Sequence, residues 1–191
     1  MNQPIHRYVF GYGSLVNRAT HDYHDPHRAE LHGWRRVWRH TALRDVAFLT
    51  VVPQPGATTE GLIARVPDAD WGDLDHRERA YERVTGQRIE HPISEPTEIA
   101  VYTIPAGKHA PPTRSNAILL SYLDTVVEGF LAEYGTKGVQ RFFATTEGWD
   151  APVLNDRARP RYSRHRSLAP ATRAMVDREL AALPSVVQEL E

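Results

Sequence analysis

Strand signals fill the first part of the chain, up to Ile104, and the one long helical pattern comes only after them, from Ser115 to about Tyr134. Arg7-Tyr8-Val9-Phe10 is aromatic and β-branched and stops at Gly11, as a short strand does. Leu31 to His40 reads as a strand with its basic residues facing out. Phe48 to Val52, Gly61 to Val66, Tyr81 to Ile89 and Thr97 to Ile104 read as further strands. The polar stretch from Thr20 to Ala29 is expected to be a loop and Pro53 to Thr59 a turn. Pro67 to Arg79 changes character. Asp68 or Asp70 is placed to cap a short helix, and Trp71, Leu74 and Glu78 share a face at three- and four-residue spacing. Ser115 is expected to cap the long helix, with Ile118, Leu119, Tyr122, Val126 and Phe130 on one face and Gly135 at its end. Thr172 to Leu183 is a last short helix. Strands, one short helix, more strands and then helices make an α+β pattern, not a βαβ alternation. A closed or strongly curved mixed sheet with helices packed outside it is the expected architecture.

Composition narrows the function classes. The chain has 191 residues, of which 41% are apolar, so one core needs no metal or disulfide to staple it. It has no cysteine, which rules out disulfides, thiolate metal sites, iron–sulfur clusters and cysteine nucleophiles. Lys plus Arg is 23 against 24 for Asp plus Glu, so the broad basic field of a nucleic-acid binder is missing. Met1 to Arg7 is polar, and no apolar run approaches the roughly 20 residues that span a bilayer. A cytoplasmic protein without membrane or nucleic-acid partners is expected. Trp34, Trp38, Trp71 and Trp149 are assigned to the core.

Two segments have the residue types for chemistry. In Phe10-Gly11-Tyr12-Gly13-Ser14-Leu15, a strand runs into a loop whose glycines let backbone N–H groups approach a ligand. Such a loop holds a carboxylate or an oxyanion, or is an ordinary turn. It is not a dinucleotide fingerprint, because Val16 stands where the third glycine belongs. It also lacks the Gly-x-Ser-x-Gly elbow. The other segment, Leu74-Asp75-His76-Arg77-Glu78-Arg79-Ala80-Tyr81, sets a carboxylate between two arginines. That is a solvated helix end unless Glu78 turns inward while Arg77 and Arg79 turn out.

Taken together, the two segments resemble the γ-glutamylcyclotransferases and their glutathione-specific relatives. Tyr-Gly-Ser-Leu at 12–15 resembles that family's substrate loop, and Leu74-Asp75-x-Arg77-Glu78 with Tyr81 resembles the segment carrying its catalytic glutamate. Tyr122-Leu123-Asp124-x-x-Val127-x-Gly129 resembles a helix of many members. The likeness runs over residues 7 to 135. It implies a small mixed β-barrel with peripheral helices, in one domain over 1–191 with residues from about 136 as a C-terminal extension packed on it. It further implies substrate binding by Tyr12, Gly13, Ser14, Leu15 and Tyr81, and Glu78 as the acid/base that releases 5-oxoproline from a small γ-glutamyl substrate, with no metal or organic cofactor. Asn17 departs from the pattern, since glutathione-specific members tend to carry Trp there. A non-catalytic small-molecule-binding protein on the same fold is the competing reading, because fold alone does not decide.

Two further clusters invite other chemistry. His21-Asp22-Tyr23-His24-Asp25-Pro26-His27 has metal-ligand residue types, but a polar loop does not fix their geometry, and no tight metal binding is expected. Arg157 to Arg166 is a basic run that suits phosphate or RNA, a solvated or ion-paired surface, or an arginine at the pocket rim facing an acidic substrate tail.

Overall fold

The computed structural model describes residues 5–43, 45–67, 71–113 and 115–189, the side chains of Asp73 and Arg77 apart. In chain order the elements are β1 (His6–Gly11), β2 (His24–His40), β3 (Ala47–Arg65), α1 (Gly72–Arg77), β4 (Glu82–Val84), β5 (Ile89–Glu90), β6 (Thr97–Thr103), β7 (Ile118–Leu119), α2 (Leu120–Thr145), β8 (Val153–Asn155), α3 (Pro170–Ala181) and β9 (Val187–Glu189). Among the described residues, β4-β6-β1-β3-β2-β5 form a mixed sheet in which only β1 and β6 run parallel. The long β2–β3 hairpin curls this sheet into a half-barrel. Its curl brings the start of β3 back to the end of β6, where the Thr103 hydroxyl donates to the Val51 carbonyl at 2.6 Å and the Thr50 hydroxyl accepts from the Ile104 N–H. Helix α2 packs on this sheet, its Leu123, Val126, Val127 and Phe130 sharing one core with Phe10, Leu49, Val51, Leu62 and Ile63. The α+β half-barrel with helices outside it is therefore the fold of this chain. Among the described residues, no helix is long and apolar enough to cross a membrane.

Several local expectations need correction. The stretch from His24 to Ala29 is not loop but the first part of β2, paired to β3 through a bulge between His24 and His27. Pro53 to Thr59 is not a turn between two strands. It lies inside β3, where an exposed bulge faces Gly33 and the pairing resumes on both sides. Prolines are tolerated there because the bulge needs no ladder donor. Tyr81 to Ile89 gives two short pairings, β4 and β5, instead of one strand. Ser115 does not cap α2. Ile118 and Leu119 are drawn out to pair with β8, so the helix starts at Leu120. Asp68 and Asp70 lie outside the described residues. Gly135 does end the first run of helix, with φ of 65°, and a second run continues to Thr145.

The basic residues of β2 do not all face out. Arg36 is 1% exposed and donates to the Thr146 and Thr145 hydroxyls and the Glu60 carbonyl. Its guanidinium lies over the Phe130 and Phe142 rings at 4.9 and 5.0 Å. Burial lowers its pKa to about 10, so it stays charged at neutral pH. Trp38 and Trp149 are core, and Trp34 packs against that core. Trp71 packs against a smaller cluster of Val9, Val66, Leu74 and Tyr102.

Candidate active site

The loop after β1 is short and tightly tied. Two single-turn 3-10 helices, at Ser14–Val16 and Arg18–Thr20, follow Gly13. The Thr20 hydroxyl donates to the Ser14 and Asn17 carbonyls at 2.9 Å. Asn17 is 5% exposed, and its amide donates to the Thr125 carbonyl and the Glu128 carboxylate of α2. The departure at position 17 is thus a polar rivet between loop and helix. Gly129 makes the close approach: a Cβ there would stand 2.6 Å from the Asn17 backbone nitrogen. Gly129→Ala is accordingly expected to cost about 1–3 kcal/mol, the usual range for overpacking. An unchanged melting temperature would show that the loop yields freely.

Helix α1 places Glu78. Leu74 is 3% exposed in the small cluster with Val9, Val66 and Tyr102. The next residue, Asp75, accepts from the Tyr102 hydroxyl at 2.5 Å and from Arg83 at 3.1 Å. With Leu74 and Asp75 held, the residue four places after Leu74 falls on the same face. That residue is Glu78, whose N–H caps the helix on the Leu74 carbonyl. Its own carbonyl accepts from the Tyr81 N–H, and the Tyr81 hydroxyl donates to the Leu49 carbonyl at 3.1 Å.

Ser14, Glu78 and Tyr81, distant in sequence, line one cavity of about 850 Å³. Val46 and the first residues of β3, Ala47 to Leu49, form another wall, and Tyr122 of α2 and Ser14 also line the cavity. The volume suits a small molecule. Among the described residues, Glu78 is the single carboxylate of the lining. Of the loop residues expected to bind substrate, Ser14 is in the lining, whereas Tyr12, Gly13 and Leu15 are not among the described lining residues. Tyr12 is buried, and its hydroxyl donates to the Tyr102 carbonyl at 2.6 Å. Burial raises its pKa well above the usual phenol value, with a smaller contribution from the Glu78 charge. Leu15 turns to the cluster around Leu74. Gly13 backs onto Tyr122, whose hydroxyl would lie 2.6 Å from a Cβ at that position. Arg79 is exposed to solvent and also belongs to the lining of the cavity. The side chain of Arg77 lies outside the described residues.

The family model for gamma-glutamyl cyclotransferase, AIG2-like, matches residues 9–119. The chain belongs to that family. The match contains Ser14, Glu78 and Tyr81 but ends before Tyr122. Among solved structures, a gamma-glutamyl cyclotransferase superposes with a TM-score of 0.56 at 13% identity, covering 90% of this chain and 98% of the other. An uncharacterised human protein gives 0.53 at 13% identity, covering 89% and 97%. YkqA from Bacillus subtilis gives 0.53 at 21% identity over 73% of this chain, which spans only 53% of the Bacillus protein. At these identities the superpositions establish the fold. No curated protein sequence matches the chain.

Sequence alone does not single out Tyr122 as a site residue, because a helical tyrosine in an apolar stripe reads as core. Its pKa is raised by burial first and then by neighbouring Tyr162, while the Ser14 N–H and hydroxyl oppose the rise. It therefore stays a neutral phenol in this cyclotransferase-family cavity, able to donate to a carbonyl or oxyanion. The Arg157 to Arg166 run divides by partner. Arg157 forms a bidentate pair with Asp124 at 2.7 and 2.8 Å and also reaches Asp177, and Arg166 lies 3.5 Å from Glu128. Arg161 and Arg164 instead line the cavity. The histidines at 21–27 are engaged separately. His21 bonds the Leu15 carbonyl and stacks on Tyr23, while His27 pairs with Asp25. Among the described residues, the group whose ligand atoms do converge is Glu30, His32 and Glu90.

Proposed function

We propose that this chain releases 5-oxoproline from a γ-glutamyl compound, with Glu78 carrying the proton. The observation behind this reading is a part-buried carboxylate, the single one of the lining among the described residues, sharing a small-molecule cavity with Ser14 of the glycine-rich loop and with Tyr122. A substrate α-ammonium loses a proton to Glu78, and the free amine attacks its own γ-carbonyl. The five-membered ring closes, Glu78 returns that proton to the leaving nitrogen as the amide C–N bond breaks, and the second proton of the ring nitrogen passes to the released amine, which departs as an ammonium. One carboxyl serves both halves because the proton accepted is the proton delivered, a role worth about 10²–10⁴-fold. Ring closure is intramolecular, so holding the γ-glutamyl chain folded supplies much of the remaining acceleration. Tyr122 and the Ser14 N–H and hydroxyl stand where the developing oxyanion or the substrate carboxylate is held. Tyr81 lines the same cavity and is assigned to substrate binding, its hydroxyl oxygen still able to accept while the O–H donates to the Leu49 carbonyl.

A panel of γ-glutamyl peptides and amines assayed for 5-oxoproline tests the reading. Release from at least one is expected. Silence across the panel from folded protein, with ligand binding intact, favours the non-catalytic binding protein instead.

A further inference from the structure

The mouth of the cavity is basic, and most of its charge comes from outside the family match. Arg161 and Arg164 lie in the segment after β8, well beyond residue 119 where the match ends, and Arg79 directly follows Glu78. Among the described residues, none of these three has a carboxylate partner, whereas Arg157 and Arg166 of the same segment are paired. An adjoining cavity of about 1120 Å³ shares Leu43, Arg79, Ala80 and Tyr81 with the first and adds Lys108 and His109, with Glu82 as the acid among its described lining residues.

The segment is also held in place at some cost. Asp156 is fully buried and accepts from the Ser121 N–H at 2.8 Å, the Ser121 hydroxyl at 2.6 Å and the Arg161 N–H at 2.8 Å. Burying a carboxylate is unfavourable unless such bonds compensate it. This one docks the Arg161 backbone onto the first turn of α2. Tyr162 then packs edge-on against Tyr122 with ring centroids 5.0 Å apart. Arg161 and Arg164, both exposed to solvent, are thereby held in the lining of the cavity that contains Glu78. Among the described residues of the lining, three arginines stand against one carboxylate, a formal excess of two positive charges. Guanidinium groups bind carboxylates and phosphates by paired, charge-assisted hydrogen bonds.

We propose that the leaving amine of the substrate is a dianion or a more highly charged anion, held by Arg79, Arg161 and Arg164. The word "leaving" rests on the cyclotransferase reading; the anion site does not. Three probes differ in the charge on the amine: γ-glutamylglutamate with two carboxylates, γ-glutamylalanine with one, and γ-glutamylpropylamide with none. Turnover is followed by 5-oxoproline release, and binding by calorimetry on Glu78→Gln. Both are expected to fall in that order, by roughly tenfold per charge and through KM, as befits charge-assisted bonds. The order should flatten in an Arg161→Gln/Arg164→Gln double variant and in high salt. Equal binding of the three probes, or an order untouched by both the double variant and salt, overturns the proposal. If the double variant fails to fold, the salt series on the wild-type chain decides. Charge-ordered binding without any 5-oxoproline would keep the anion site and discard the cyclotransferase reading.

Discussion

Glu78→Gln is expected to lose roughly two to four orders of magnitude in turnover, the usual worth of a positioned general acid/base. The substitution keeps the volume and most hydrogen bonds but removes the proton acceptor. Glu78 is part-buried in the cavity wall, and the backbone bonds that place it, to the Leu74 carbonyl and from the Tyr81 N–H, do not involve its side chain. The fold should therefore survive, with a melting temperature equal to or above that of the wild type, since a part-buried carboxylate is costly to desolvate. The loss should appear in kcat, with KM little changed, because anchoring falls to Ser14, Tyr122 and the basic mouth. An exposed carboxylate paired with a neighbouring arginine would be worth about 0–1 kcal/mol and would leave turnover intact. Near-normal kcat in folded Glu78→Gln on a verified substrate would remove Glu78 from the chemistry.

The second large effect is expected at Asp156, distant in sequence from either site motif. Asp156→Ala strands the Ser121 N–H, the Ser121 hydroxyl and the Arg161 N–H together. A buried donor left without its partner costs about 1–3 kcal/mol, so a loss of at least that size is expected. Thermal or denaturant unfolding should show that loss, with Asp156→Asn intermediate because an amide still accepts at one atom. Activity should fall as well, because the Tyr162 N–H rests on the Ser121 hydroxyl that Asp156 orients. A variant as stable as wild type would show that the segment at 156–164 is held by something else.

The parts of the site legible in sequence are those set by local rules. Leu74 and Glu78 share a helix face at four-residue spacing, so anchoring one aims the other. Gly13 and Gly129 stand out in the motifs, and the structure gives the reason: each has another element within 3 Å of its missing Cβ. The α+β order is legible because strand and helix periods differ. What stays hidden depends on partners far along the chain. His24 to Ala29 is polar enough to read as loop, and it becomes β2 because β3 offers a ladder to pair with. Arg36 reads as a surface residue until α2 supplies hydroxyls and aromatic faces to receive it. Ser115 reads as a cap until β8 pulls Ile118 and Leu119 into a sheet. The basic run at 157–166 cannot be divided into paired and cavity-lining arginines until Asp124, Asp177 and Glu128 are placed in space.

Product identity tests the central claim most directly. A γ-glutamyl substrate that is turned over should yield 5-oxoproline in equal amount to the released amine, with no glutamate. The matching glutaryl compound, which lacks the α-amine, should not be cleaved at all, because nothing in it can close the ring. Release of glutamate, or cleavage of the glutaryl compound at a comparable rate, would mean that water attacks the γ-carbonyl and would contradict intramolecular cyclisation by this chain.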